Sequence, residues 1–398
     1  MALRGPLARG LRRSSPAAYR GTLAALEAAR RAARAGDEVA LAAVRGRLRA
    51  ALLGGSYRVT ADAVAAGDSN RAATWLLLRE FRKATRFTRP GVDATVAVRE
   101  LARREISPRE AALAVRKDLL DAYQASLGDR LVEAEDAAER GFRARWAQTA
   151  ALAAGLWPIL APEYASVRGR AATSELTEAF ARLAGSARRG DRRRFAAARA
   201  QVGRALDGFV AAPFTREEQA RRAAQLVRFL DLVPIEYDRG TEDGRVTLDF
   251  EIQEALAFQD GASSAFDDLQ GELARRDPHA TAVVDHAIDQ LGSYVQGAQT
   301  GRRVASQEEM ERTHGRASDT LEELIPDEWA LDDSQSDFDL IALTLDRLEA
   351  AIGAGRYTQA EQARLEAYAF FEFGPELTLR SIAPDVTARV EGLIWFGA

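Results

Sequence analysis

The sequence predicts an all-α chain folded as antiparallel helical bundles. Apolar residues recur at spacings of three and four almost throughout, the period of a helix that buries one face. The alternation that marks a strand is confined to one short stretch, "RVTLDFEI". With 398 residues, 47% of them hydrophobic, the chain can build roughly two or three compact units, each with its own core.

The elements follow in order. The first 36 residues are arginine-rich, with Glu27 as their first acidic residue. Within them "TLAALEAARRAARAGD" puts Leu23, Leu26, Ala29 and Ala33 on one stripe and stops at Gly36, a residue that suits a helix end. From Arg116 a helical period runs through Leu119, Leu120, Tyr123, Leu127 and Leu131. "WAQTAALAAGLWPILAP" is uncharged but short, and carries Gln148, Thr149, Pro158 and Pro162. A membrane helix needs about 20 predominantly apolar residues, so the stretch reads as a buried core helix stopped by Pro158. "YASVRGRAATSE" then closes a first half.

"RVTLDFEI" alternates Val246, Leu248, Phe250 and Ile252 as a strand would, while Leu248, Ile252 and Ala255 fit one helical stripe. Helix is the favoured reading. "GAQTGRRVASQEE" and "IPDEWALDDSQSD" read as polar joins. "DFDLIALTLDRLEAAIGAG" returns to helical period with Leu340, Leu343, Leu348 and Ile352. The implied organisation is an N-terminal segment 1–36, a first bundle 37–170, a second bundle 171–300 and a C-terminal helical region 301–398. A faint internal repeat runs at an offset of 150: Arg89 matches Arg239, Asp93 matches Asp243, Val96 matches Val246, and Asp118–Leu119 match Asp268–Leu269. It is compatible with duplication of a helical unit.

Composition excludes several kinds of chemistry. There is no cysteine, hence no disulfide, zinc–thiolate site or thiol nucleophile. Three histidines leave little room for imidazole acid–base work. A net charge of −4 gives no overall field for nucleic acid, and the arginine clusters "GLRRSS" and "SARRGDRRRF" lack interleaved aromatics, so no nucleic-acid partner is expected. Phosphate-binding loops, dinucleotide fingerprints and nucleophile–base constellations are missing, and no enzyme activity is expected.

Carboxylates remain. In "DFEIQE", Glu251 and Glu254 share a helix face with Asp249 half a turn away. Like charges so placed repel; a bound hard cation, a neighbouring arginine such as Arg245, or full solvation would relieve them. In "QEEMERTH", Glu311 and His314 have the Glu-x-x-His spacing of carboxylate-bridged metal bundles, although Gly315 marks them more as a helix end. In "FFEFGPE" a helix breaks at Gly374 and restarts at Pro375, so Glu376 suits the new N-terminus. Glu372 and Glu376 bracket that break among Tyr368, Phe370, Phe371 and Phe373. The last residues, Gly392 to Ala398, are uncharged and follow Glu391. Oxygen donors in such surroundings suit a hard cation.

The stretches "LLREFRKATRFTRPGVDATVAV", "AVRKDLLDAYQASLGDRL", "IEYDRGTEDGRVTLDFEIQEALAFQDGASSAFDDL", "EAYAFFEFGPE" and "VEGLIWFG", in this order, resemble the long extracytoplasmic N-terminal region of prokaryotic high-affinity iron permeases, relatives of the oxidase-coupled fungal iron transporters. In that family the ion path is a following membrane bundle built around Arg-Glu-Gly-Leu-Glu motifs. "RVEGLIWFG" only echoes such a motif, so the family's pore glutamates have no counterparts here. The resemblance implies a membrane-associated, extracytoplasmic helical region that captures iron or passes it to a membrane permease portion in the same or a sister chain. An oxidase or iron-delivery protein is an implied partner, and iron is the only ion implied. On this reading the metal ligands are Glu372, Glu376 and Glu391 with a second acidic cluster of Asp249, Glu251 and Glu254. The rival reading is a helical scaffold that docks a partner protein without binding metal.

Overall fold

The structure is a computed structural model that describes residues 5–79, 93–329, 334–353, 355–373 and 375–396. Among these residues regular structure consists of sixteen α-helices, a short 3-10 turn and one two-stranded ribbon. Arg89 of the repeat, the join at 330–333, Gly374 and the terminal Gly397–Ala398 lie outside the described residues.

The helices begin and end where local chemistry dictates. Asp37, Asp68, Asp93, Asp191 and Asp277 each accept a backbone N–H as N-caps. Ser107, Thr215 and Ser306 form full capping boxes with Glu110, Glu218 and Glu309. Gly36, Gly67, Gly141 and Gly190 take left-handed backbone at the ends, where a Cβ would be strained.

The described residues up to 213 form one compact unit and those from 214 onward a second. In the first, α1 (Pro6–Ser14), α2 (Pro16–Arg34), α3 (Glu38–Ala65), α4 (Ser69–Leu76), α5 (Ala94–Arg103), α6 (Pro108–Glu139), α7 (Arg143–Arg189) and α8 (Arg192–Leu206) close on a core of Leu120, Tyr123, Trp146, Leu156, Trp157 and Phe180. The expected cuts at 36, 170 and 300 differ from this division. The arginine-rich start belongs to the first unit: Leu11 is fully buried, Gly10 lies against Trp75 and Gly55 against Leu11. On α2 the buried positions are Thr22, Ala25 and Ala32, a face slightly rotated from the expected leucine stripe. Residue 170 falls inside α7, and residue 300 falls inside the second unit.

The turn near 170 is nevertheless real. Gly169 breaks α7 with φ 84° and ψ 166°. Across the break Trp157 stacks on Phe180 at 5.4 Å and its Nε1 donates to Thr177 Oγ1 at 2.8 Å. Residues 20 apart in one straight helix would be about 30 Å apart, so the two arms run back along each other within one unit. Contrary to the expectation from the sequence, Pro158 does not stop the first arm; it and Pro162 lie inside α7. Both prolines are exposed, and the buried Trp157, Ile159 and Leu160 hold the helix to the core.

In the second unit α9 (Arg216–Gly240), a ribbon of β1 (Thr241–Glu242) and β2 (Arg245–Val246), α10 (Asp249–Arg276), α11 (Pro278–Gln299) and α12 (Gln307–Leu324) enclose Leu226, Phe229, Val233, Phe258, Phe266 and Leu291. After the turn Asp327–Trp329 come α13 (Ser334–Gly353), α14 (Tyr357–Phe373), α15 (Pro375–Ile382) and α16 (Pro384–Phe396). "RVTLDFEI" is therefore divided: Val246 pairs with Thr241 across the antiparallel ribbon, and helix starts at Asp249. Ile252 and Ala255 are buried, whereas Leu248 and Phe250 are exposed. The repeat maps unlike positions onto each other, since Asp93 caps α5 while Asp243 sits in the ribbon turn with φ 49°. Asp118 and Asp268 do each meet an arginine, Arg79 at 3.5 Å and Arg222 at 2.7 Å. Among the described residues no helix is long and apolar enough to cross a membrane.

Candidate metal centre

The last turn of α9 carries Glu236 and Arg239, three residues apart on one helix face. Gly240 ends the helix, and its carbonyl accepts the N–H groups of Thr247 at 2.9 Å and Leu248 at 3.3 Å. Those bonds pin the start of α10 against the end of α9. The close approach requires glycine: a Cβ at 240 would stand 2.8 Å from Ile252 Cδ1 and 3.1 Å from Glu251 Cβ. α10 thereby brings Glu251 and Glu254 to Glu236, and one carboxylate oxygen from each of the three lies within 4.8 Å of the others.

A fourth carboxylate comes from α14. Arg239 Nη1 donates to Glu236 Oε1 and to Glu372 Oε1, both at 2.8 Å. α14 is seated on α9 by Phe370 against Phe229 at 6.2 Å and by the Arg228 guanidinium 5.7 Å from the Phe370 ring. A buried polar chain ties α14 to α9 and to α13: Gln225 Nε2 donates to Glu366 Oε1 at 3.0 Å, and Arg347 Nη1 on α13 to Glu366 Oε2 at 2.8 Å.

The electrostatics are lopsided. Among the described residues, two of the four carboxylates, Glu236 and Glu372, meet the Arg239 guanidinium. Glu236 is 0% exposed and Glu254 4%. Glu236 Oε2, Glu254 Oε1 and Glu372 Oε2 are buried without a hydrogen-bond partner. Burial, reinforced by Glu251 and Glu372 and opposed by Arg239, pushes the Glu236 carboxyl up to about 9. Burial and the charges of Glu251 and Glu372 push Glu254 up to about 8. A buried charge without a partner is expensive, so each such carboxyl either keeps a proton or takes a cation. Oxygens on one hard ion, at bonds of about 2.1 Å, are at most about 4.2 Å apart. The triad is near enough to draw in around one ion by rotation of its side chains, and its all-oxygen donor set suits a hard metal.

Two stretches expected to form separate clusters therefore meet, through Glu251, Glu254 and Glu372. Asp249, at the first turn of α10, is exposed and outside the group. Glu376 and Glu391 both pair with Arg380, the latter at 3.2 Å. Glu376 is 5% exposed; burial, with Glu391 and Glu372 and against Arg380, raises its carboxyl to about 7. Glu311 and His314 do not converge: His314 Nε2 meets Asp231 Oδ1 at 2.8 Å, and Glu311 accepts from Gln307. Sequence reasoning missed Glu236 and Arg239. Their signal was a Glu-x-x-Arg pair closing an apolar helix just before a glycine, which reads equally well as a surface ion pair. Arg245, named as a neutraliser from the sequence, has no ion pair among the described residues; Arg239 takes that place.

Comparison with known families supports the resemblance. Residues 1–205 match the model of the iron permease FTR1 N-terminal domain. Residues 212–328 match that of the iron permease-associated 4-helix bundle domain, which spans α9 to α12 and holds Glu236, Glu251 and Glu254. No curated protein and no solved structure matches the chain. Two matched domains, in this order and together covering α1 to α12, establish that the chain belongs to the iron permease FTR1 family, a family of transporters.

Proposed function

We propose that the second unit captures iron at Glu236, Glu251, Glu254 and Glu372, on the extracytoplasmic side of a membrane, and hands it to a membrane permease portion. The observation that carries this reading is the convergence of Glu236, Glu251 and Glu254, with one carboxylate oxygen of each within 4.8 Å of the others, where Glu236 Oε2 and Glu254 Oε1 are buried without a hydrogen-bond partner. A folded chain keeps such groups only when something compensates them. Family membership supplies the ion. An oxidase or an iron-delivery protein is the proposed upstream donor. Glu376 and Glu391, already closed by Arg380, stay outside the proposed ligand set.

Calorimetric titration of the full chain tests the reading, with ferrous iron under anaerobic conditions and with citrate-buffered ferric iron in separate runs. Saturable heat is expected in at least one. The double variant Glu236→Gln/Glu254→Gln keeps the shape of both side chains and is expected to lose that heat. Wild-type heat in the double variant would remove the site.

One feature favours the scaffold reading for the final helices. Ile382, Val386 and Leu393 on α15 and α16 are exposed, Ile382 at 74%, and such residues suit a docking contact. Replacing all three by Ser, with iron binding intact and co-purification of a partner lost, would assign docking to that end.

A further inference from the structure

Arg239 divides the oxygens of two carboxylates. Glu236 and Glu372 each give Oε1 to its Nη1 at 2.8 Å, and each keeps Oε2 buried without a partner. The guanidinium is half-exposed, with its side chain at 50% against 0% for Glu236 and 10% for Glu372. It thus stands at the solvent side of the cluster, while the open oxygens of Glu236 and Glu372 are buried, as Glu254 Oε1 is. This is the arrangement by which an outer partner orients a ligating group, holding the far oxygen so that the near one points at the ion. Because one nitrogen makes both contacts, the two carboxylates are drawn toward each other although they stand 136 residues apart in sequence.

We infer that Arg239 is the positioning residue of the iron site: it clamps the outer oxygens of Glu236 and Glu372 so that their inner oxygens converge, with Glu254 and Glu251, on one cation. The inference rests on the capture reading above. It also gives Arg239 a second task, because its charge offsets one of four clustered carboxylates and lets the remaining ones stay together in a dry place. A guanidinium that merely filled the place of the ion would instead compete with it.

The test titrates the full chain with the iron salt that wild type binds, alongside Glu254→Gln, Arg239→Ala and Arg239→Lys. Glu254 makes no contact with Arg239, so Glu254→Gln reports on the capture reading alone. Arg239→Ala is expected to bind iron about 10–100-fold more weakly, with the helical circular dichroism of wild type. Arg239→Lys, whose ammonium can meet both Oε1 atoms, is expected to fall within a few-fold of wild type. Free guanidinium at low millimolar concentration is expected to restore part of the affinity of Arg239→Ala, since the position is open to solvent. If Glu254→Gln binds as wild type does, the capture reading fails. If Glu254→Gln loses binding while Arg239→Ala equals or exceeds wild type, the positioning role alone is overturned. Weak binding by Arg239→Ala that neither lysine nor guanidinium repairs overturns it as well.

Discussion

At the scale of single residues, Glu236 has lost all contact with solvent, and its nearest neighbours include other acids. Its carboxyl would ionise near about 4.3 in the unfolded chain and near about 9 in the metal-free native one. Between those values the native state holds a proton that the unfolded state has released. Stability therefore falls as pH rises through this window, and Glu254, raised to about 8, adds to the trend. The metal-free chain is expected to melt at lower temperature as pH is raised from about 6 to 9, with a flatter profile for Glu236→Gln. A profile that rises with pH, or one unchanged by the substitution, would contradict the assignment. On the capture reading, iron binding has the opposite slope, because the ligands must lose their protons first. Of this chemistry the sequence displayed the parts that are costly locally: two acids on one helix turn, and glutamates among phenylalanines. Glu236 was hidden because its cost arises only when α10 and α14 arrive.

At the scale of helices, contact distance is set by the smallest side chains. Gly46, Ala50 and Gly54 on α3 face the first arm of α7, where a Cβ at 46 would stand 2.3 Å from the Gln148 carbonyl oxygen and one at 155 would stand 2.4 Å from Ala50 Cβ. Backbone cannot yield as a flexible side-chain tip does, so Gly46→Ala is expected to cost about 2–3 kcal/mol. Gly128, in the exposed middle of α6, has nothing within 4 Å of its would-be Cβ. Gly128→Ala is therefore expected to stabilise by about 0.5–1 kcal/mol. Urea unfolding of both variants checks the pair, and equal effects would refute the packing argument. The helices themselves were readable from periodicity, caps and glycines, as α2, α6 and α13 illustrate. The prolines of α7 misled because exposure, which decides whether a proline breaks a helix, depends on the fold. The reversal at Gly169 was visible as a break but not as a hairpin, since only the Trp157–Phe180 stack tells the two apart.

At the scale of the whole molecule, two cores divide the chain at residues 213 and 214. Each is large enough to melt as a cooperative body. Differential scanning calorimetry is expected to resolve two transitions. Saturating iron should raise the one that belongs to the second unit by the mass-action term of a ligand bound only to the native state. Gly46→Ala should lower the other. If iron moved both transitions equally, or moved the one that Gly46→Ala lowers, the site would not lie where the carboxylates converge. The sequence carried no cue to this division, because a boundary is a shortage of contacts, and its polar stretches near 170 and 300 turned out to be turns within units.

Glu372 arrives from α14, beyond the stretch that the four-helix domain accounts for. A relative that kept α9 to α12 but shed the later helices would inherit three donors and an arginine gripping only one of its two acids. On the capture reading, such a shortened chain would hold its ion more loosely and select it less, which places part of the site's selectivity in the helices after residue 328.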